Sequence, residues 1–178
     1  MQDDILSVAS RRAIFACVGE HAGAHLRDIS RRCAMPLGTA LYHLDCLEQA
    51  GLLVARRDGR YKRYFESQGI GRREKEVLSL LRHDAPRRIL RALVEREAGA
   101  SQRELCAAIA LSRSTLSFHV NRLVVEGVVE RIATRPEGTY RLIERETVAA
   151  LLARYGESLA TGTLASPVPA AEPVLAVS

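Results

Sequence analysis

Hydrophobic positions along this chain keep helical spacing in some stretches and strict alternation in others. Ala40, Leu44 and Leu47 fall on one stripe of a helix at ~100° per residue, and Leu116, Val120 and Leu123 do the same. Val77, Leu78, Leu80 and Leu81 form another apolar stripe, and Val148, Leu151, Leu152, Tyr155 and Leu159 one more. The rhythm changes to alternation in LLVARRDGRYKRYFE (residues 52–66) and VVERIATRPEGTYRLIE (residues 128–144). Each of these reads as two short strands, joined at Asp58-Gly59 in the first and at Pro136-Glu137-Gly138 in the second.

The pattern occurs twice. Residues 11–51 align without a gap on residues 87–127, with identities that include Arg11/Arg87, Arg12/Arg88, Val18/Val94, Arg27/Arg103, Thr39/Thr115, His43/His119, Leu47/Leu123 and Gly51/Gly127. The run Ala22-Gly23-Ala24 recurs as Ala98-Gly99-Ala100, and most mismatches keep apolar character, as in Ile29/Leu105 and Leu44/Val120. This is the signature of a duplicated domain.

Each copy predicts helix, helix, turn, helix, hairpin. The first helix covers about Arg11 to Glu20, matched by Pro86 to Glu97, where Asp84 and Pro86 supply a start signal. The second covers Leu26 to Cys33, matched by Ser101 to Ile109, with Ser101 and Glu104 spaced as a capping box. A short turn follows, in which Ser112 can cap the third helix. Gly51 and Gly127 stop the third helices, since glycine adopts positive φ without strain.

Two helices across a tight turn, followed by a hairpin, make a winged helix-turn-helix. The expected fold is therefore mainly α with small β-hairpin wings, an α+β chain of two tandem winged helix-turn-helix domains. Residues 1–66 form the first domain, 67–85 a linker helix, 86–160 the second domain with a C-terminal helix, and 161–178, rich in Pro, Ala and Val, a flexible tail. A unit of about 60 residues buries only ~60% of its chain surface. The copies are therefore expected to pack together, or the chain to form a homodimer through the linker and C-terminal helices.

Composition narrows the function. With 47% hydrophobic and 26% charged residues the chain is a globular one, and no apolar run is long enough to span a membrane. The start MQDDILSVAS does not resemble a signal peptide, so a cytoplasmic protein is expected. Net charge is +5, and of 26 basic residues only Lys62 and Lys75 are lysines, which suits polyanions and planar recognition of phosphate or guanine. Cys17, Cys33, Cys46 and Cys106 form no C-x-x-C pair, and they read as reduced, idle thiols. The sequence lacks a phosphate loop, a paired catalytic carboxylate and a nucleophile motif, so neither an enzyme nor a bound cofactor or metal is expected.

The segment LSRSTLSFHVNRLVVEGVVER (residues 111–131) resembles the recognition-helix region of ArsR-like winged-helix regulators. GTALYHL followed by RRDGRYKRYF is similar to archaeal winged-helix regulators with two such domains in tandem. The resemblance spans roughly residues 11–145 and implies a DNA-binding transcription regulator. The metal-sensing branch has paired cysteines in the second helix, whereas Cys33 and Cys106 each stand alone there.

An α-helix fits the major groove and a basic hairpin lies along neighbouring phosphates, so the expected partner is double-stranded DNA. The second recognition helix offers Arg113, Ser114, Thr115, Ser117, Phe118, Asn121 and Arg122, a mixture of donors, acceptors and an aromatic. The first offers Thr39, Tyr42 and His43 but carries Asp45 and Glu48 and has no basic residue. Its wing compensates with Arg56, Arg57, Arg60, Lys62 and Arg63, while Arg135 is a candidate contact from the more dilute second wing. His43 and His119 lie about 60° from the core stripe, where a ring packed beneath the wing competes with a phosphate contact. Cys46, in the place of Arg122, reads as an idle thiol, with a redox switch that alters DNA contact as the alternative. The alternative to DNA is a tandem winged-helix interaction module of a chromosome or polymerase-associated complex, in which the wings need not be basic.

Overall fold

The computed structural model describes residues 5–133 and 138–161. The first copy folds as α1 (Ala9–Glu20), β1 (Ala24–His25), α2 (Leu26–Arg32), α3 (Leu37–Gln49), β2 (Leu53–Asp58) and β3 (Tyr61–Glu66). A connecting helix, α4 (Arg72–Leu81), leads to the second copy: α5 (Asp84–Val94), β4 (Ala100–Ser101), α6 (Gln102–Ile109), α7 (Arg113–Val125), β5 (Val129–Ile132) and β6 (Thr139–Leu142). The last helix is α8 (Arg145–Thr161). The chain is thus a mainly helical α+β protein in which two winged helix-turn-helix units follow one another.

Most local signals are realised. Ser101 and Glu104 form the capping box, Ser112 Oγ accepts from the Thr115 amide at 3.2 Å, and Gly51 and Gly127 end α3 and α7 at φ of +72° and +66°. The turn of the first hairpin is Gly59-Arg60, one residue beyond the expected Asp58-Gly59, since Asp58 still pairs with Tyr61. The corresponding turn of the second, with Arg135, lies outside the described residues, as does the expected tail beyond residue 161.

The hairpins are not two-stranded, however. Residues 24–25 and 100–101 add a third strand to each, antiparallel to β3 and β6, in the sheet orders β1-β3-β2 and β4-β6-β5. The repeated Ala-Gly-Ala run exists for this junction. Gly23 and Gly99 sit at φ of +80° and +88°, and a Cβ on Gly99 would stand 2.6 Å from the Tyr140 carbonyl oxygen. Pairs of residues are too short to show alternation in the sequence, and each runs directly into a helix start.

Strand β3 serves two cores. Its alternation sends Tyr64 into the first, among Ile14, Val18, Ile29, Leu44 and Leu47, and Phe65 into the second, beside Val77, Leu78 and Leu81 of α4. The second core also takes the apolar stripes of α4 and α8, where Val148, Leu151, Tyr155 and Leu159 are all buried. Of the two expected arrangements, the copies therefore pack together, the apolar faces of these helices being covered within one chain. In the first core, burial and the neighbouring Cys33 thiol push the Cys17 thiol up to about 12, so it stays protonated and unreactive.

Ala34 and Ala110, equivalent in the repeat, end α2 and α6 at φ of +50° and +48°. A left-handed alanine costs roughly 1–2 kcal/mol over glycine in the folded chain, offset by the greater freedom of unfolded glycine. Ala34→Gly should therefore raise stability by up to about 1 kcal/mol in urea denaturation, whereas Gly99→Ala, which meets a backbone carbonyl, should lower it by roughly 2–3 kcal/mol. A destabilised Ala34→Gly protein would show that the turn has another constraint.

Candidate nucleic-acid interface

Burial of Leu116, Val120 and Leu123 fixes the rotation of α7 and turns Arg113, Ser114, Phe118, Asn121 and Arg122 to the surface. Phe118 is 65% exposed. Around the helix start, Ser112 Oγ lies 3.0 Å from Ser114 Oγ and 2.8 Å from Thr115 Oγ1. The Gln102 side chain of α6 donates to Ser117 Oγ at 2.6 Å and to the Arg113 carbonyl at 3.3 Å. Gln102, which the sequence did not single out, thereby locks the two helices of the second unit together.

On α3 the same rotation exposes a different chemistry. Thr39, Leu37, Leu41 and Tyr42 are exposed, and Asp45 and Glu48 add negative charge. The Lys62 ammonium of the wing donates to Glu48 at 2.8 Å and lies 4.0 Å from Asp45, which raises its pKa. The repeated histidines are placed alike, His43 buried and His119 half-buried. The Nδ1 atoms of His43 and His119 are buried without a hydrogen-bond partner, and each ring packs on the aromatic before it, at 5.2 Å from Tyr42 and 5.1 Å from Phe118. Of the two readings for His43, burial therefore corrects the phosphate contact in favour of the packed ring.

Strand alternation divides the cations of the first wing between its two faces. Arg56 pairs with Arg63 across the ladder, and Arg57 with Lys62 on the opposite face. The first pair turns toward the connecting segment. Arg56 donates to Glu76 at 3.2 Å and to the Arg72 carbonyl at 3.1 Å. Arg63 is buried, and its guanidinium donates to Asp58 at 2.6 Å and to the Gly23 carbonyl at 3.0 Å. Arg63 is thus corrected from a phosphate contact to a structural residue. Arg57 and Arg60 remain exposed, with Arg60 over the Tyr61 ring and Tyr61 stacked on His25. In the second wing, Arg141 is bound to Glu130 directly across the ladder.

Asp58 gathers groups from both units. Besides Arg63, its carboxylate lies 2.7 Å from His83 Nε2, in the segment between α4 and α5, and 3.4 Å from Arg122 Nη2 on α7. Burial alone would raise its pKa, but hydrogen bonds from His83 and Arg63 hold it well below the usual carboxylate range. Nearby, burial and the charges of Arg122 and His83 lower the pKa of His119. Other arginines join the units too: Arg82 donates to the Ala22 and Ser158 carbonyls, and Arg73 to the Gly127 carbonyl and Glu144.

Residues 82–130 match a family model described as winged helix-turn-helix DNA-binding, and residues 8–78 match one described as an N-terminal HTH domain. This chain is a tandem winged helix-turn-helix protein. Similar to it is an uncharacterised HTH-type transcriptional regulator of Methanocaldococcus jannaschii, 24% identical over 129 residues, which are 72% of this chain and 32% of that protein. The tandem protein thus spans about a third of the length of that curated relative. A solved structure, a Corynebacterium diphtheriae protein, aligns with a TM-score of 0.29 at 19% identity, covering 75% of this chain and 26% of that one. Among the described residues no helix is long and apolar enough to cross a membrane.

The ionisable groups set a direction for stability. Folding disfavours protonated His119, as it does His21 and His25 through burial, so the unfolded chain binds protons more readily below about pH 6.5. Asp58 works the same way at lower pH, its contribution being present above its unfolded pKa and lost on acidification. The tandem protein should therefore weaken as pH falls through 6.5, and His119→Gln should flatten part of that fall. Urea midpoints on both sides of this pH measure it, and an unchanged slope in the variant would discount His119.

Proposed function

We propose that this protein binds double-stranded DNA with sequence preference and regulates transcription, α7 being the principal reading helix. The observation that carries the proposal is the exposed face of α7, which presents Arg113, Asn121 and Arg122 together while its buried stripe holds the helix in place. Arginine and asparagine are the side chains that pair bidentately with guanine and adenine edges. The capped start of α7 suits a phosphate, and Ser114 and Thr115 stand there. Phe118 offers an aromatic surface for thymine methyls or sugar. Arg57 and Arg60, on the first wing, are the backbone contacts, with Lys62 available where a phosphate displaces Glu48.

The first recognition helix has a smaller part in this reading. Thr39 and Tyr42 are its exposed contacts, and its acidic flank repels the phosphates that α7 attracts. The family match of the second unit and the regulator name carried by the archaeal relative support the same assignment.

If about six phosphates are neutralised, affinity falls roughly a thousandfold between about 50 and 200 mM salt. Replacing Arg113 or Arg122 by Ala should lower base preference by about 1–3 kcal/mol for each bidentate base pairing removed, whereas replacing Arg57 and Arg60 should weaken all duplexes alike and flatten the salt slope. Selection from genomic fragments followed by competition with random duplex measures both. Equal effects on selected and random DNA from both sets would refute the division, and no salt-dependent retention of any duplex would refute DNA binding.

A further inference from the structure

The wing of the first unit and the recognition helix of the second meet at one carboxylate. Asp58 ends β2 at the hairpin turn, and its side chain is 9% exposed. One of its oxygens, Oδ2, takes Arg63 and His83 at 2.6 and 2.7 Å; the other, Oδ1, faces Arg122 at 3.4 Å. Arg122 is 41% exposed at its side chain, so one edge of the guanidinium is turned to Asp58 while the group remains open to solvent. The neighbouring cations on the same wing, Arg57 and Arg60, are exposed.

We infer that the first wing and α7 form a single composite DNA-reading surface, in which Asp58 is a positioning residue that holds the Arg122 guanidinium in the plane from which it addresses a base edge. This rests on the DNA reading proposed above and changes its architecture. An arginine side chain has several rotatable bonds, and a base pair discriminates only if both hydrogen bonds of the fork form together. A carboxylate at one edge of the guanidinium restricts its rotation and leaves the other edge to donate.

The rest of the pocket keeps the carboxylate available for this. Arg63 is anchored on the Gly23 carbonyl at 3.0 Å and His83 belongs to the short segment before α5, so Asp58 is held through Oδ2 while Oδ1 faces Arg122. The device is asymmetric in the duplication. Where α7 has Arg122, α3 has Cys46, which cannot donate a fork. The second unit thus takes part of its specificity from a residue that the first unit supplies.

The test selects preferred duplexes from a randomised library with the full chain as wild type, Asp58→Asn, Asp58→Glu, Glu130→Gln, Arg122→Ala and the double variant Asp58→Asn/Arg122→Ala. Arg122→Ala identifies the base position that depends on this side chain. Asp58→Asn is expected to lose preference at that same position, by roughly tenfold, and the double variant to lose no more than Arg122→Ala alone. Asp58→Glu keeps the charge for Arg63 and His83 but displaces the carboxylate by one methylene, and it is expected to blur the same position if Asp58→Asn does not fold. Glu130→Gln breaks a carboxylate–arginine pair on the second wing that includes neither Asp58 nor Arg122, Arg141 donating to Glu130 at 2.8 Å, and is expected to keep the wild-type base preference.

Wild-type preference retained by both Asp58 variants, or an equal loss in Glu130→Gln, would overturn the inference and leave the DNA reading standing. Failure of the wild-type chain to retain any duplex would overturn that reading, and the inference with it.

Discussion

Strand β3 has to bury both of its faces, and the arrangement of the two units follows from that requirement. A strand points successive side chains to opposite sides, so Tyr64 and Phe65 cannot enter the same core. Tyr64 closes the first unit. Phe65 is covered only because α4 lies against the far side of the sheet and carries the second core with it. Burying a large aromatic contributes about 1.5–3 kcal/mol, a sizeable share for units of this length, which bury too little surface to be secure alone.

The hydrophobic arrangement is completed by buried arginines that bridge elements distant in sequence. Arg82 is nearly enclosed, and burial together with the neighbouring Arg63 charge lowers its pKa to about 10, which still leaves it charged at neutral pH. Its guanidinium donates to carbonyls of the first unit and of α8 together, satisfying backbone oxygens that would otherwise be buried without partners. Arg87 does the same for the Leu159 carbonyl. Arginine suits this work because its planar fork reaches two acceptors at once and stays charged when desolvated. The arginine-rich composition therefore serves internal joints and not the exposed surface alone.

Much of this was legible in the sequence, for definite reasons. The duplication, the capping box at Ser101, the glycine stops and the Asp-Gly turn are local signals whose physics operates within a few residues. The rotation of α7, and hence which side of it is outward, followed from helical periodicity. What escaped was non-local. Alternation told which wing residues share a face, but not that the face of Arg56 and Arg63 would meet the connecting segment. Asp58 read as a turn residue, and nothing in its neighbourhood marks His83 or Arg122 as its partners. Residue type makes Arg63 a phosphate candidate, whereas its burial is decided by elements many residues away. The apolar stripes of α4 and α8 are legible in the sequence, yet a stripe announces only that it will be covered, and here the same chain covers it.

Duplicated reading domains are commonly imagined as two heads on a tether, each free to find its own place. A strand whose opposite faces belong to different cores removes that freedom. The distance from the first wing to the second recognition helix becomes a fixed dimension of the fold, set by the width of one sheet and the helix behind it. Any binding partner that touches both is measured against this ruler, and an insertion or deletion in residues 67–83 would change what fits even if every contacting side chain were kept.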